Sequence, residues 1–282
     1  MKKIVFLICI TLFTISCNNS NEDKAEERLA AARLALEHDD FNGAKLQIDS
    51  IKTLYPKAFK TRKESQQLMC IVVLKEQQHN LRFLTSMLQT KQQEFETIKK
   101  QYTYEKNAKY QDIGNYFWPT QTVERNLHRS YLRFQVNDQG IMTLTSIYSG
   151  VRYIHHHAVK VIASDGTYAQ TPASTDVYES NDMGIKNEKA DYHFGSDGGV
   201  INYLFMNRQK NIRVEYIGTS RYVTVMTPAD KLALTNIYSL TKVLASIQKI
   251  KNDIDDANVK IKFVLKKQKY DARMEHNSEN EN

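Results

Sequence analysis

Two long stretches without glycine or proline restrict this chain more than any other feature of its sequence. The first covers residues 61–106, and the second follows Thr227-Pro228 and runs to residue 272. In both, apolar residues recur at spacings of three, four or seven, which is typical of a coiled-coil-like helix that packs along one stripe. The stripes are Leu74, Leu81, Leu84, Leu88, Phe95, Ile98 and Tyr102, then Ile237, Leu240, Leu244, Ile247, Ile254, Ile261 and Leu265.

The two predicted helices are expected to pair side by side. Each spans roughly forty residues, or about 60 Å of α-helix. Thr227 is the expected N-cap of the second helix, with Pro228 at its first position and Asp230 completing a capping box. Since the chain must return to where it left, we expect an antiparallel pair; pairing between chains, giving a homo-oligomer, is the alternative. Polar residues interrupt the predicted stripes at Gln77, Lys91, Lys251 and Asn258.

Residues 116–226 differ in composition from the helical stretches. They are rich in β-branched and aromatic residues, and glycine-containing turns recur among them. Seven or eight short strands over about 110 residues favour an antiparallel sandwich or barrel. The predicted fold class is therefore α+β, with a β domain inserted between two long helices. The predicted strands are 131–136, 141–148, 158–163, 191–194, 200–205, 211–217 and 221–225.

Two shorter helices are predicted near the amino end, at residues 24–38 and 44–55, where Pro56 stops the second. Leu46, Ile48, Ile51 and Leu54 are expected to face inward. The predicted segments are a tether at 17–23, a helical hairpin at 24–60, a first stalk helix at 61–115, the β domain at 116–226, a second stalk helix at 227–272 and a disordered tail at 273–282.

Residues 1–17 have the three-part layout of a secretory signal. A basic head precedes the uncharged apolar run 4–15, which is too short to span a bilayer, and a small residue precedes Cys17. This pattern resembles the lipobox of bacterial lipoproteins, with Thr14 where that motif usually has leucine. The resemblance implies that residues 1–16 are a signal peptide that is removed and that Cys17 carries acyl chains. A plain signal peptide with an incidental cysteine is the alternative.

A wider resemblance covers most of the remaining chain. Residues 35–59, 121–150 and 226–230 resemble a family of uncharacterised lipoproteins from gut Bacteroidota, and the polar residues 18–23 loosely resemble the surface-export signal of lipoproteins from that group. The resemblance implies a lipid-anchored protein of the cell envelope, in the outer membrane, on its periplasmic or surface-exposed face. It implies no biochemical activity.

Charge and cysteine content fit an exported protein held together by packing. The formal charge is +7 and falls to +5 without residues 1–16, which contain two lysines and no acid. An exported chain does not meet cellular nucleic acid, so this charge favours anionic lipid, lipopolysaccharide phosphate or acidic glycan. Apart from Cys17, only Cys70 then remains, and its apolar surroundings predict a buried thiol that forms no disulfide.

Three successive histidines at 155–157 are the most conspicuous chemical motif. On a strand, His155 and His157 point to one face and His156 to the other. Two imidazoles on one face can share zinc or copper if a third ligand is near. The alternative is an exposed strand edge, and no cofactor is otherwise indicated. Candidates for the third ligand are His193, Asp191 and His128.

Tyr116 and Trp118 stand at the predicted junction of helix and sheet, and Trp118 is the only tryptophan. Such an aromatic pair could stack on a sugar ring or rest against a partner. It could equally be a hydrophobic plug that joins the two substructures.

The sequence lacks the nucleophile-elbow motif, the P-loop and the dinucleotide-binding glycines. We therefore expect a non-enzymatic envelope lipoprotein whose helical stalk presents a β domain to a protein or glycan. One alternative is a periplasmic adaptor that bridges membrane components, although such adaptors have β modules on both sides of a helical hairpin. The other is a metal-dependent hydrolase that uses the histidine cluster.

Overall fold

A computed structural model shows an α+β chain, as predicted. It divides into two compact units, unit 1 with residues 21–87 and 252–280 and unit 2 with residues 88–251. The structure describes residues 21–106, 109 and 112–280. The helices are α1 (21–37), α2 (Phe41–Leu54), α3 (Phe59–Ile98), α4 (Val200–Met206) and α5 (Pro228–Asn280). The strands are β1 (Thr103–Glu105), β2 (Asn115–Phe117), β3 (Tyr131–Asn137), β4 (Met142–Gly150), β5 (Ala158–Ala163), β6 (Tyr168–Gln170), β7 (Val177–Asp182), β8 (Ile185–His193), β9 (Ile212–Ile217) and β10 (Arg221–Val225).

Unit 1 contains the predicted helical hairpin, packed on the start of α3. Asp40 caps α2, because its carboxylate accepts a hydrogen bond from the Gly43 N–H at 2.8 Å. Leu46 and Leu54 are 66% and 57% exposed, so the prediction that they face inward is wrong. The shared core consists of Ala25, Leu29, Ala32, Leu36, Ala44, Ile48, Ile51, Ala58, Leu68 and Val72.

The long helices keep apolar stripes, but the stripe of α5 differs from the predicted one. On α3, the predicted stripe residues are half-buried and the polar Gln77 is buried among them. The half-buried residues are Leu74, Leu81, Leu84, Leu88, Phe95 and Ile98. On α5 the stripe shifts by one residue after Ile247, because three-residue spacings follow each other there. Lys251 and Asn258 are therefore exposed and do not interrupt it. The buried or half-buried apolar residues beyond the shift are Ile250, Ile254, Ala257, Ile261 and Val264.

Within unit 1, α3 and α5 line the same surface clefts in opposite order. Residues 63–67 share a cleft with residues 267–274. Residues 77–84 share another with residues 253–260. Increasing residue numbers on α3 therefore match decreasing numbers on α5, as in the predicted antiparallel pair.

The first long helix ends earlier than predicted. α3 stops at Ile98, a short 3-10 turn covers Lys99–Gln101, and β1 and β2 pair antiparallel. The predicted helix 61–115 and the predicted β-domain start at 116 are therefore wrong at this boundary. The aromatic residues of β1 and β2 explain the difference, since Tyr104 and Tyr116 pair across the hairpin with ring centroids 4.7 Å apart.

Unit 2 contains two antiparallel sheets, both formed between the end of α3 and the start of α5 in the sequence. Their strand orders are β1-β2-β3-β4-β8-β7 and β10-β9-β5-β6. One buried core takes side chains from both sheets, from α4 and from α5, including Phe134, Val161, Leu204, Tyr216 and Ile237.

The start of α5 is fixed by the predicted capping box. The Asp230 N–H donates to the Thr227 hydroxyl at 3.2 Å, and the Thr227 N–H donates to the Asp230 carboxylate at 3.0 Å. Arg129 also forms an ion pair with the Asp230 carboxylate. Asp230 is only 2% exposed.

Three other expectations concern local structure. Residues 200–205, predicted as a strand, lie in α4, where the buried Asp197 accepts a hydrogen bond from the Ile201 N–H in the first turn of the helix at 2.6 Å. α5 continues to Asn280, although a disordered tail was expected from residue 273. Cys70 is a buried free thiol, as predicted.

Among the described helices, none is long and apolar enough to cross a membrane.

Candidate functional site

A buried carboxylate holds the histidine motif in place. Glu188 lies on β8 and is fully buried. Its two oxygens accept hydrogen bonds from the backbone N–H groups of Ile154, His155 and His156, at 2.6, 2.9 and 2.8 Å. It also contacts the His156 Nδ1 at 2.8 Å. One side chain thus fixes the conformation of the segment that leads into β5.

Ser146, His156 and Glu188 form a chain of hydrogen bonds. The Ser146 hydroxyl lies 2.8 Å from the His156 Nε2, while His156 Nδ1 meets Glu188. These distances match those of a serine, histidine and carboxylate triad. All three residues, however, are 0% exposed, and Ser146 sits within β4 between paired residues of β3 and β8. A substrate cannot reach the hydroxyl in this arrangement, so its role is structural.

The electrostatics of the pair follow from burial. Burial lowers the pKa of His156, although the neighbouring Glu188 opposes that shift. Burial alone would raise the pKa of Glu188, but its hydrogen bonds to His156 and to the backbone leave that pKa below its usual range. At neutral pH the arrangement is therefore a neutral imidazole that donates from Nδ1 to a charged carboxylate and accepts from Ser146.

Tyrosine rings surround the imidazole. The ring centroids of Tyr148 and Tyr216 lie 6.4 and 5.2 Å from that of His156. Tyr222 packs edge-on to both tyrosines. Burial raises the pKa of Tyr216 well above its ordinary value, and its hydroxyl has no hydrogen-bond partner among the described residues. The tyrosines thus act as packing that excludes water from the Glu188 centre.

The exposed side of the same segment carries a compact group of polar and aromatic side chains, which we call the His155 patch: Tyr153, His155, Glu179 and Lys186. The rings of Tyr153 and His155 stack with centroids 5.6 Å apart. His155 Nδ1 meets the Glu179 carboxylate at 2.7 Å, and the Lys186 ammonium lies 5.2 Å from the Tyr153 ring centroid. The patch therefore combines an aromatic surface with an acid and a base.

His155 also has an unusual backbone conformation. Its φ is +52°, in the left-handed region that non-glycine residues rarely adopt. The two N–H groups on either side of this strain, those of Ile154 and His156, are held by Glu188. Strain of this kind persists only where the surrounding structure enforces it, and it is concentrated at functional positions.

The predicted metal ligands are not brought together. The three histidines precede β5 and do not lie on a strand, so the predicted strand alternation is wrong, although His155 and His157 are exposed and His156 is buried. His193 lies at the end of β8, where its Nδ1 meets the Thr143 hydroxyl at 3.0 Å. Among the described residues, no group of three or more His, Cys, Asp or Glu side chains is placed to hold a metal ion. The geometry therefore gives no support to a metal-dependent hydrolase.

Tyr116 and Trp118 belong to an aromatic cluster that connects the end of α3 to the first strands. Trp118 packs edge-on against Tyr102 at 5.4 Å, and Tyr116 packs edge-on against Phe95 at 5.6 Å. Both are partly buried against the core of unit 2. This placement matches the plug that the sequence offered as the alternative to a sugar-binding platform.

Sequence reasoning did not identify Glu188, Ser146 or the acidic and basic members of the His155 patch. A signal for Glu188 was present, because Ala190 and Tyr192 are apolar at two-residue spacing after it and the whole set shares one face of β8. Cys17, the predicted lipidation site, lies outside the described residues.

Comparison with known proteins assigns this chain to no protein family. No family model matches the chain, and no curated protein or solved structure matches it either.

Proposed function

We propose that this chain is a cell-envelope lipoprotein, anchored through acylated Cys17, that acts as a non-enzymatic binding or scaffolding module. In this proposal the lipid-bearing Cys17 precedes unit 1 in the sequence, and unit 2 presents the contact surface to a protein or glycan of the envelope. The two antiparallel sheets would form a β-sandwich inserted between the long helices, which the core residues shared by both sheets support.

One observation carries the proposal that unit 2 binds a partner. Glu188 commits both carboxylate oxygens to fixing residues 154–156, in which the buried Ile154 and His156 flank the exposed His155. The segment displays a stacked aromatic pair beside an acid and a base. A rigid exposed aromatic surface with flanking polar groups suits recognition of a protein or a sugar. The His155 patch is therefore the proposed contact.

Crosslinking in intact cells of the source organism tests this contact. The full chain would carry a photoreactive amino acid at Ser180 on the neighbouring strand, with or without Tyr153→Ala and His155→Ala. We expect a specific crosslinked species that is reduced at least about fivefold in the double variant. Tyr168→Ala with His193→Ala removes the same two residue types from exposed positions elsewhere in unit 2 and should leave the species unchanged.

Two results would contradict the proposal. A crosslinked species that is equally abundant in both double variants would remove the His155 patch from the contact. Mass spectrometry that finds Cys17 unmodified, together with a protein that stays in the soluble fraction, would remove the lipid anchor.

A further inference from the structure

Two segments of unit 1 concentrate positive charge. Residues 57–63 contain four basic residues and no acid, and residues 260–273 contain six basic residues and one acid. Their combined excess is larger than the formal charge of the whole chain, which is +7. The rest of the chain is therefore net acidic, and the positive charge is local.

The structure brings these two segments together. A cleft of about 320 Å³ is lined from α3 by Lys63, Gln66 and Gln67 and from α5 by Lys267, Tyr270, Met274 and one acid, Asp271. Residues that are far apart in the sequence therefore form one cationic surface. We call this surface the basic end of unit 1: residues 54–63 and 266–274, since Lys260 lines a different cleft with residues 77–84.

The basic end lies near the start of α1, which carries the acids Glu22, Asp23, Glu26 and Glu27. Glu22 accepts hydrogen bonds from the backbone N–H and the hydroxyl of Thr61, both at 2.8 Å. Glu22 follows Cys17 by five residues, and such a stretch spans at most about 18 Å. A lipid on Cys17 would therefore keep this end of unit 1 close to the bilayer surface.

The basic end also exposes large apolar side chains among its cations. Phe59 is 74% exposed between Lys57 and Lys60, and Leu54 is 57% exposed just before them. On α5, Tyr270 is also largely exposed. The turn between α1 and α2 shows the opposite charge, since Glu37, Asp39 and Asp40 lie there. Cations interleaved with exposed apolar groups are typical of surfaces that bind anionic membranes.

We propose that the basic end of unit 1 binds directly to a bilayer that contains anionic phospholipid, with Phe59 and Leu54 entering the interface and the cations pairing with headgroup phosphates. For its orientation this inference rests on the proposed lipid anchor at Cys17, but the binding itself does not require the lipid. The surface thus provides a second membrane contact that orients unit 1.

Vesicle co-sedimentation tests the proposal without the lipid. The chain from residue 17 onward, carrying Cys17→Ser, would be mixed with two kinds of vesicle. One contains phosphatidylcholine alone, and the other also contains about 30% phosphatidylglycerol. We expect binding only to the anionic vesicles, and weaker binding as salt is raised. Changing Lys57→Glu, Phe59→Ser and Lys60→Glu together should lower the partition coefficient at least about tenfold.

A matched variant on the same helix controls for charge and apolar content. Lys75, Arg82 and Phe83 are exposed on α3 outside the basic end. The variant Lys75→Glu, Arg82→Glu, Phe83→Ser makes the same changes and should bind like the parent. Circular dichroism spectra and melting of all three proteins establish that they are folded.

The possible outcomes test the membrane contact and the lipid anchor independently of each other. The basic end would be overturned as a membrane contact if both triple variants lost binding equally, or if the parent protein did not bind anionic vesicles. Neither result would bear on the lipid anchor. Vesicle binding by the Cys17→Ser chain combined with an unacylated native Cys17 would keep the basic end and overturn the anchor.

Discussion

Unit 1 and unit 2 are stabilised in different ways. In unit 1 the core is built from alanine, leucine, isoleucine and valine at helical spacing, and the contacts of its charged side chains are mostly at the surface, as between Arg33 and Glu64. In unit 2 several elements are fixed by fully or nearly buried polar side chains. The clearest are Gln121, Glu188 and Asp230.

Gln121 shows what such a residue does. Its side-chain amide donates to the Leu132 carbonyl at 2.9 Å and accepts from the Phe134 N–H at 2.8 Å, so it extends the hydrogen bonding of β3 beyond the short β2. Helices satisfy their own backbone, whereas irregular segments between strands need such partners. The comparison therefore teaches that unit 2 depends on a few specific polar residues and unit 1 on the position of an apolar stripe.

Replacing Glu188 by alanine should have the largest effect on stability. The change leaves three backbone N–H groups and the His156 Nδ1 without their partner inside the core. We expect a loss of about 3–5 kcal/mol in the free energy of unfolding, measured by urea titration followed by the fluorescence of Trp118, the only tryptophan, which lies in unit 2.

Glu179→Ala is the matched control, because Glu179 lies directly opposite Glu188 on β7 but is partly exposed. It should cost less than about 1 kcal/mol. Similar losses in the two variants would show that unit 2 does not depend on its buried polar residues, and the contrast between the units would fail.

The register of α5 gives the next test, in unit 1. Ala257 is buried at 3% exposure and its neighbour Asn258 is exposed. Ala257→Asp should cost about 2–3 kcal/mol, since it places an unpaired charge on the packed stripe. Asn258→Asp adds the same carboxylate one residue later and should change stability by less than about 0.5 kcal/mol. The stripe predicted from the sequence alone requires the reverse order, so urea titration of both variants separates the two registers.

This shift shows how far the sequence could predict the helices. The periodicity identified α2, α3 and α5 and the packed face of α3, because helical geometry repeats locally. It failed on α5 after Ile247, where Lys251 and Asn258 were kept on the stripe to preserve regular spacing. The small side chain of Ala257 gives a weak apolar signal, so the local pattern alone could not show that it is the buried residue.

The β unit was predictable in outline only. Alternation and turn residues identified β3, β4, β5, β9 and β10, but β7 and most of β8 carry charged residues and were not predicted. The pairing of Glu188 with residues 154–156 joins positions more than thirty residues apart. No periodicity within one strand specifies such a contact. The histidines were therefore noticed, while the carboxylate that positions them was missed.

Acidification should lower the stability of unit 2 more than that of unit 1, and this is the smallest of the expected effects. The pKa of His156 is lowered in the folded state, so the unfolded chain binds a proton first, and the free energy of unfolding falls as pH drops below about 6.5. The pKa of Glu188 is also lowered, so its contribution is present above its unfolded value of about 4.5 and is lost progressively below it. Each group changes the free energy of unfolding by at most about 1.4 kcal/mol per pH unit.

Urea titrations of unit 2 fluorescence between pH 7.5 and 5 measure the first of these losses. His156→Gln should flatten the profile above pH 5, because glutamine cannot take up the proton that the unfolded histidine binds. His38→Gln removes an exposed histidine of unit 1 and should leave the profile of the parent. If the stability of His156→Gln still falls with pH as steeply as that of the parent, another group causes the loss. The buried neutral imidazole would then not explain the acid sensitivity of unit 2.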